Sequence, residues 1–174
     1  MKVMATIVAV SALFASFVVL AFLGLGEVRF WGLFGDPDLD AVKIETVQRH
    51  KLPNDALACP VDFCVARADL STTVYAMPAA ELRTAFAKVI ASEPKVTIVE
   101  TNDAEMTDRY IQRSAIFGFP DTIVVQFLDR PGSQSTLALY SRSRFGESDF
   151  GVNRARLERW LEKLASHAKA IALP

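Results

Sequence analysis

A chain of 174 residues with 19 basic and 20 acidic side chains carries a net charge of -1, so no global basic field recruits nucleic acid and no acidic tail implies a basic partner. The hydrophobic fraction of 51% is inflated by an apolar N-terminus. With that stretch set aside, about 148 residues remain, the usual size of one domain with its own core. The expected organisation is a membrane anchor or signal peptide over residues 1–26, a juxtamembrane tether over 27–52 and one globular domain over 53–174.

Val3 to Leu25 contains no charged residue, and as a helix it would run about 34 Å against a hydrocarbon core of about 30 Å. A cleaved signal peptide is the rival, but its apolar core is typically about 7 to 15 residues and ends in a small-x-small site. Only Gly24-Leu25-Gly26 imitates such a site, so the length favours an uncleaved anchor. Phe30, Trp31 and Phe34 follow where an interfacial aromatic belt would sit. Lys2 before the span, together with the cysteines below, favours a single-pass protein of the cytoplasmic (inner) membrane with its domain facing the periplasm or exterior. Asp36 to Pro53 reads as a polar tether with one short helix from Asp40 to Arg49.

Cys59 and Cys64 are the whole cysteine content. An even count at short spacing in an oxidising compartment favours a structural disulfide over two reduced thiols. A redox-active pair prefers Cys-x-x-Cys, and a zinc site needs a second pair, so neither is favoured and no metal or cofactor is expected. Arg67 to Tyr75 is rich in β-branched residues and reads as a strand. Pro78 then opens a helix to about Ser92, with Leu82, Phe86, Val89 and Ile90 on its apolar stripe. Val96 to Thr101 reads as an edge strand. Strands at about 107–117, 122–129 and 136–144 follow, joined by short turns and therefore antiparallel. The last helix, Asn153 to Ala170, carries a stripe of Leu157, Trp160, Leu161, Leu164 and Ala168. The fold class is thus α+β: an antiparallel β-meander covered by two helices and preceded by one transmembrane helix.

The densest set of position-demanding residues is Leu137 to Leu164. Arg142 and Arg144 share a strand face with Tyr140 by period two. Gly146, Asp149 and Gly151 supply the turn and helix cap. Arg154 and Arg156 stand in the first turn of a helix, where the dipole disfavours cations. Either they pair with Glu147, Asp149 or Glu158 within the fold, or Arg142, Arg144, Asn153, Arg154 and Tyr140 form an anion site.

Cys59-Pro60 with Cys64-Val65, Arg113-Ser114 with Phe117-Gly118-Phe119 and Asp121, and Ser141-Arg142-Ser143-Arg144-x-Gly146-x-x-Asp149-x-Gly151-x-Asn153-Arg154 resemble the domain of unknown function family numbered 1499. The resemblance spans about Pro53 to Leu164. It implies a setting in bacterial membrane-associated or plastid proteins and no settled activity.

The inventory for catalysis is thin. His50 falls in the tether and His167 on the polar face of the last helix, and neither sits beside a nucleophile motif. Asp121 and Asp149 could pair as acid and base, but a hairpin turn and a helix cap are their simpler roles. The reading is a membrane-anchored, non-catalytic module for an anionic lipid headgroup or an envelope protein, with an apolar pocket near Tyr140 and Trp160. The alternative is a hydrolase-like enzyme using Asp149 or Asp121.

Overall fold

A computed structural model describes residues 2–49 and 51–171, so His50 lies outside the described residues, as does Met1. Helix α1 (Lys2–Gly32) is, among the described residues, the one helix long and apolar enough to cross a membrane; its most apolar window has a mean hydropathy of 2.6 and is entirely unburied. At Gly26 the backbone turns to φ 74°, ψ 160° and kinks the helix, a conformation open to glycine because it has no Cβ. The short piece beyond the kink carries Phe30 and Trp31 toward the domain, where the Trp31 ring lies 4.3 Å from Phe119 and 5.2 Å from Phe145.

The domain is built on an eight-stranded sheet. Its central path runs β2 (Leu70–Ser71), β1 (Asp55–Cys59), β7 (Gln134–Ser143), β6 (Pro120–Arg130), β5 (Thr107–Arg113) and β4 (Val96–Asn102). Strand β3 (Val74–Tyr75) pairs with β7 and with β8 (Ala170–Ile171). The expected meander β4–β5–β6–β7 is present in that order, with β4 on the edge. Its β6–β7 turn is tight because Gly132 and Ser133 both take positive φ. Strand β1 was not anticipated. It pairs antiparallel with β7, Asp55 opposite Arg142, and so removes β7 from the edge. The strand expected over Arg67–Tyr75 resolves into β2 and β3.

Both domain helices, α2 (Ala79–Ala91) and α3 (Val152–Ala165), cover one face of the sheet. Leu82, Phe86 and Val89 of α2 and Leu157, Trp160 and Leu164 of α3 pack with Ile123, Val125, Phe127, Leu137 and Leu139. These are the stripes that the 3.6-residue period picks out. Pro78 offers no capping side chain to α2; the Asp129 carboxylate accepts from the Ala79 N–H at 2.9 Å instead. The two helices are also tied at their ends. Glu93, just past α2, accepts from Arg159 at 2.9 Å and from Lys163 at 2.6 Å. Burial raises the Glu93 carboxyl, but the bonds from Arg159, Lys163 and Gln112 outweigh it and hold the group at about 2. Its folded value lies below the ordinary 4.5, so its stabilisation is complete above that pH and is lost as pH falls toward about 2. Glu93→Gln is therefore expected to flatten the acid limb in a pH series of thermal melts.

The opposite face departs from expectation. Residues 36–47 do not hang as a tether, and the helix expected over Asp40–Arg49 shrinks to one 3-10 turn at Ile44–Thr46. The segment lies across the sheet as a strap. Ile44, 1% exposed, and Val47 pack on Leu57, Val124, Ala138 and Tyr140. Cys59 and Cys64 form a disulfide, a bond that persists in oxidising compartments. Closing so short a loop stabilises by about 2 kcal/mol in the chain-entropy model. Phe63 and Cys64 of the loop it closes, and Ala66 just beyond, pack against the same cluster, and the Val65 N–H donates to the strap carbonyl of Glu45 at 2.8 Å.

Candidate functional site

Alternation along β7 separates the residues expected to form one anion site. Tyr140 and Arg142, with Arg144 beyond, face the strap; Ser141 and Ser143 face the helices. On the strap side the Tyr140 hydroxyl donates to Asp55 at 2.7 Å. Arg142 donates to the carbonyls of Leu39 and Asp40. Arg144 donates to the Asp36 carbonyl at 2.9 Å and lies over the Phe145 ring at 5.3 Å. The neighbouring Arg109 meets the Asp38 carboxylate at 3.1 Å. The arginine row thus holds the strap, whose carbonyls and carboxylate take the place of an external anion.

On the helix side Asn153 is fully buried. Its amide donates to Ser143 and to the Asn54 carbonyl, and its carbonyl accepts from Ser141 and Arg156. Arg156, 3% exposed, also donates to Gln112 and Ser141 and forms a 2.6 Å ion pair with Asp121. Burial pushes the Asp121 carboxyl above its ordinary range, and the Arg156 guanidinium offsets only part of that. Asp121 is therefore a buried strand residue, not the turn residue expected from its place after Phe119-Pro120. Arg154, two residues from Arg156 and on another side of the helix, is exposed and pairs with Glu158 at 3.0 Å.

Arg142 and Arg144 therefore do not converge with Asn153 and Arg154. Tyr140 and Trp160 do not face a common pocket either, since the two are wholly buried in separate clusters on opposite faces of the sheet. The cation that the helix dipole disfavours at Arg156 is satisfied from within, by Asp121 of β6. One signal in the sequence marked it: Asn153, Arg156, Leu157, Trp160 and Leu164 fall on a single helical stripe, whereas Arg154 does not.

The two candidate acids are both committed to the fold. The Asp149 carboxylate accepts from the Gly151 and Asn153 N–H groups, each at 2.9 Å, which closes the α3 N-terminus as a cap. Gly151 and Gly146 take positive φ, and the Gly146 carbonyl accepts from Asn54 at 2.8 Å. His167 lies exposed just past α3. Among the described residues no group of three or more His, Cys, Asp or Glu is placed to hold a metal ion.

A concavity of mixed charge lies beside this loop. An open groove of about 800 Å³ is lined by the cations Arg49, Lys51, Arg67 and Arg154, by the carboxylates Asp55, Asp69 and Asp149, and by Ser148 and Gly151, with Leu52, Pro53, Ala66 and Ala68 as its apolar part. Arg49 is clamped by Asp55 at 2.6 Å and Asp69 at 2.8 Å; burial opposes its charge, but the two carboxylates outweigh it. Lys51, Arg67 and Arg154 stand exposed on the rim. Of the expected ligand-binding residues, Arg154 alone lines this groove.

A family model described as "Protein of unknown function (DUF1499)" matches residues 44–164. That span begins at Ile44, inside the strap, and ends at Leu164, the last buried residue of α3. No curated protein matches the chain.

Proposed function

The chain belongs to the DUF1499 family, and because that description assigns no activity, we propose from the geometry that it is a non-catalytic binding module on the extracytoplasmic side of the cytoplasmic membrane, taking an anionic headgroup of an envelope component in the groove rimmed by Lys51, Arg67 and Arg154. The observation that carries this reading is the groove's charge balance: its carboxylates are engaged, Asp55 and Asp69 by Arg49 and Asp149 by the α3 cap, while Lys51 and Arg67 stand exposed and Arg154 has only an exposed pair with Glu158, an arrangement that suits a phosphate or carboxylate on an apolar stem. The disulfide and the apolar α1 support the address. Asp121 is buried against Arg156, and Asp149, although it lines the groove, has both carboxylate oxygens engaged by the Gly151 and Asn153 N–H groups, which argues against the hydrolase alternative.

Thermal melts of the full chain in detergent, with inorganic phosphate or a short-chain phospholipid added at matched ionic strength, test the groove. An anion at about 100 times its dissociation constant adds about 2.7 kcal/mol to the folded state. The melting temperature is expected to rise in the wild type and to rise much less in Arg67→Gln/Arg154→Gln. Equal shifts in both proteins would remove the groove as the site. Turnover of any member of an ester or lipid panel would instead support the enzyme.

A further inference from the structure

Among the described residues the exposed aromatic side chains of the domain, Phe117, Phe119 and Phe150, collect at one end of the sheet, whereas exposed aliphatic ones such as Val61 and Val65 of the disulfide segment and Ile98 of β4 stand singly elsewhere. The β5–β6 loop, residues 114–119, exposes Ile116 and Phe117; the β7–α3 loop, residues 144–151, exposes Phe150, at 95% the most open apolar side chain of the domain. At the far end the β4–β5 turn holds Asp103, Ala104 and Glu105, and the β6–β7 turn holds Pro131, Gly132 and Ser133. A cluster of exposed aromatic rings with Ile116 on two adjoining loops, unlike apolar residues scattered singly, marks a surface that is covered by something.

The anchor arrives at that same end. The Trp31 indole N–H donates to the Phe117 carbonyl at 2.6 Å, and its ring bridges Phe119 of one loop and Phe145 of the other. Glu27, one residue past the kink, pairs with Lys95 at 2.8 Å. Gly118 makes this approach possible: it sits at φ +65°, and a Cβ there would lie 2.5 Å from the Glu27 carboxylate. Both loops are thus held within ring contact of the residue that ends a membrane-spanning helix, which is the depth of the lipid headgroups. Aromatic rings and a stacked arginine, as Arg144 is on Phe145, are the side chains that region favours.

We propose that this end of the domain is a bilayer-docking face: Ile116 and Phe117 of one loop and Phe150 of the other enter the headgroup region of the membrane that α1 spans, so that the domain lies on the lipid surface instead of swinging above it. An amphipathic element seated in this way buries its apolar side about 5 to 10 Å into the interface. The inference stands independently of the groove, since it uses none of the groove's rim cations.

The full chain, reconstituted in lipid nanodiscs, provides the test. With Cys59 and Cys64 bonded to each other, single cysteines introduced as Ile116→Cys, Phe150→Cys, Leu33→Cys and Ser133→Cys can each carry an environment-sensitive fluorophore, and lipids with doxyl groups near the headgroup serve as quenchers. Labels at 116 and 150 are expected to be quenched as strongly as the reference at 33, beside the anchor, while the label at 133 is not. Quenching at 116 and 150 no greater than at 133 would overturn the proposal, and so would quenching at only one of the two loops. A blue shift without quenching would place the loops against protein and overturn it equally.

Discussion

Replacing Arg156 with alanine is expected to cost about 3 to 5 kcal/mol, the penalty for leaving a buried carboxylate without its partner. In a domain of this size such a loss lowers the melting temperature by roughly 10 °C or more. The cause is specific. Arg156 is 3% exposed and Asp121 is 5% exposed, so water cannot replace the lost bonds, and Gln112, Ser141 and Asn153 lose a donor in the same step. Asp121→Ala should cost a similar amount. The double replacement Arg156→Met/Asp121→Leu should recover much of either loss, because two apolar groups leave no charge stranded. Arg154→Ala is the contrast: its exposed pair with Glu158 should be worth about 0 to 1 kcal/mol. Chemical denaturation of the four variants would check this ordering, and an Arg156→Ala protein as stable as Arg154→Ala would refute it.

Ile44→Ala is expected to be nearly as damaging, at about 2 to 5 kcal/mol, because it removes a fully enclosed side chain from beneath the strap. The cavity would open among Leu57, Val124 and Tyr140. Lys43→Ala and Thr46→Ala, exposed on either side, should fall within about 0.5 kcal/mol of the wild type. If residues 36–47 were a loose tether, all three replacements would be equally silent. Thermal melts of the three proteins distinguish these outcomes.

Local signals carried much of the architecture. The uncharged run from Val3, the helical stripes of α2 and α3, the short turns of the meander and the close cysteine pair each depend on neighbours in sequence, and each is present in the structure. What the chain hid is set by distant pairing. Strand β1 is recognisable only opposite Arg142 and its neighbours, nearly ninety positions away in register with β7. Ile44 and Val47 are three residues apart, a spacing that suggests a helix, but only the Ile44–Thr46 turn forms, and their burial depends on the sheet face that the segment crosses. Asp121 follows a turn sequence and reads as part of it, because nothing near it in sequence announces Arg156. The arginines of β7 suggest in sequence an anion site or ion pairs with Glu147, Asp149 or Glu158, yet Arg142 and Arg144 donate to the chain's own carbonyls at residues 36–40. The groove was missed for the same reason: Lys51, Arg67 and Arg154 are brought together only by folding.

Native mass spectrometry of the full chain, released from membranes into mild detergent, asks most directly whether the groove holds an anionic headgroup. The wild type should carry an additional mass corresponding to an anionic lipid or a comparable envelope phosphate or carboxylate. The variant Lys51→Gln/Arg67→Gln/Arg154→Gln, folded and still membrane-bound, should have lost it. A wild-type protein released bare, or an adduct that persists undiminished in the variant, would contradict the assignment of the groove as the binding site.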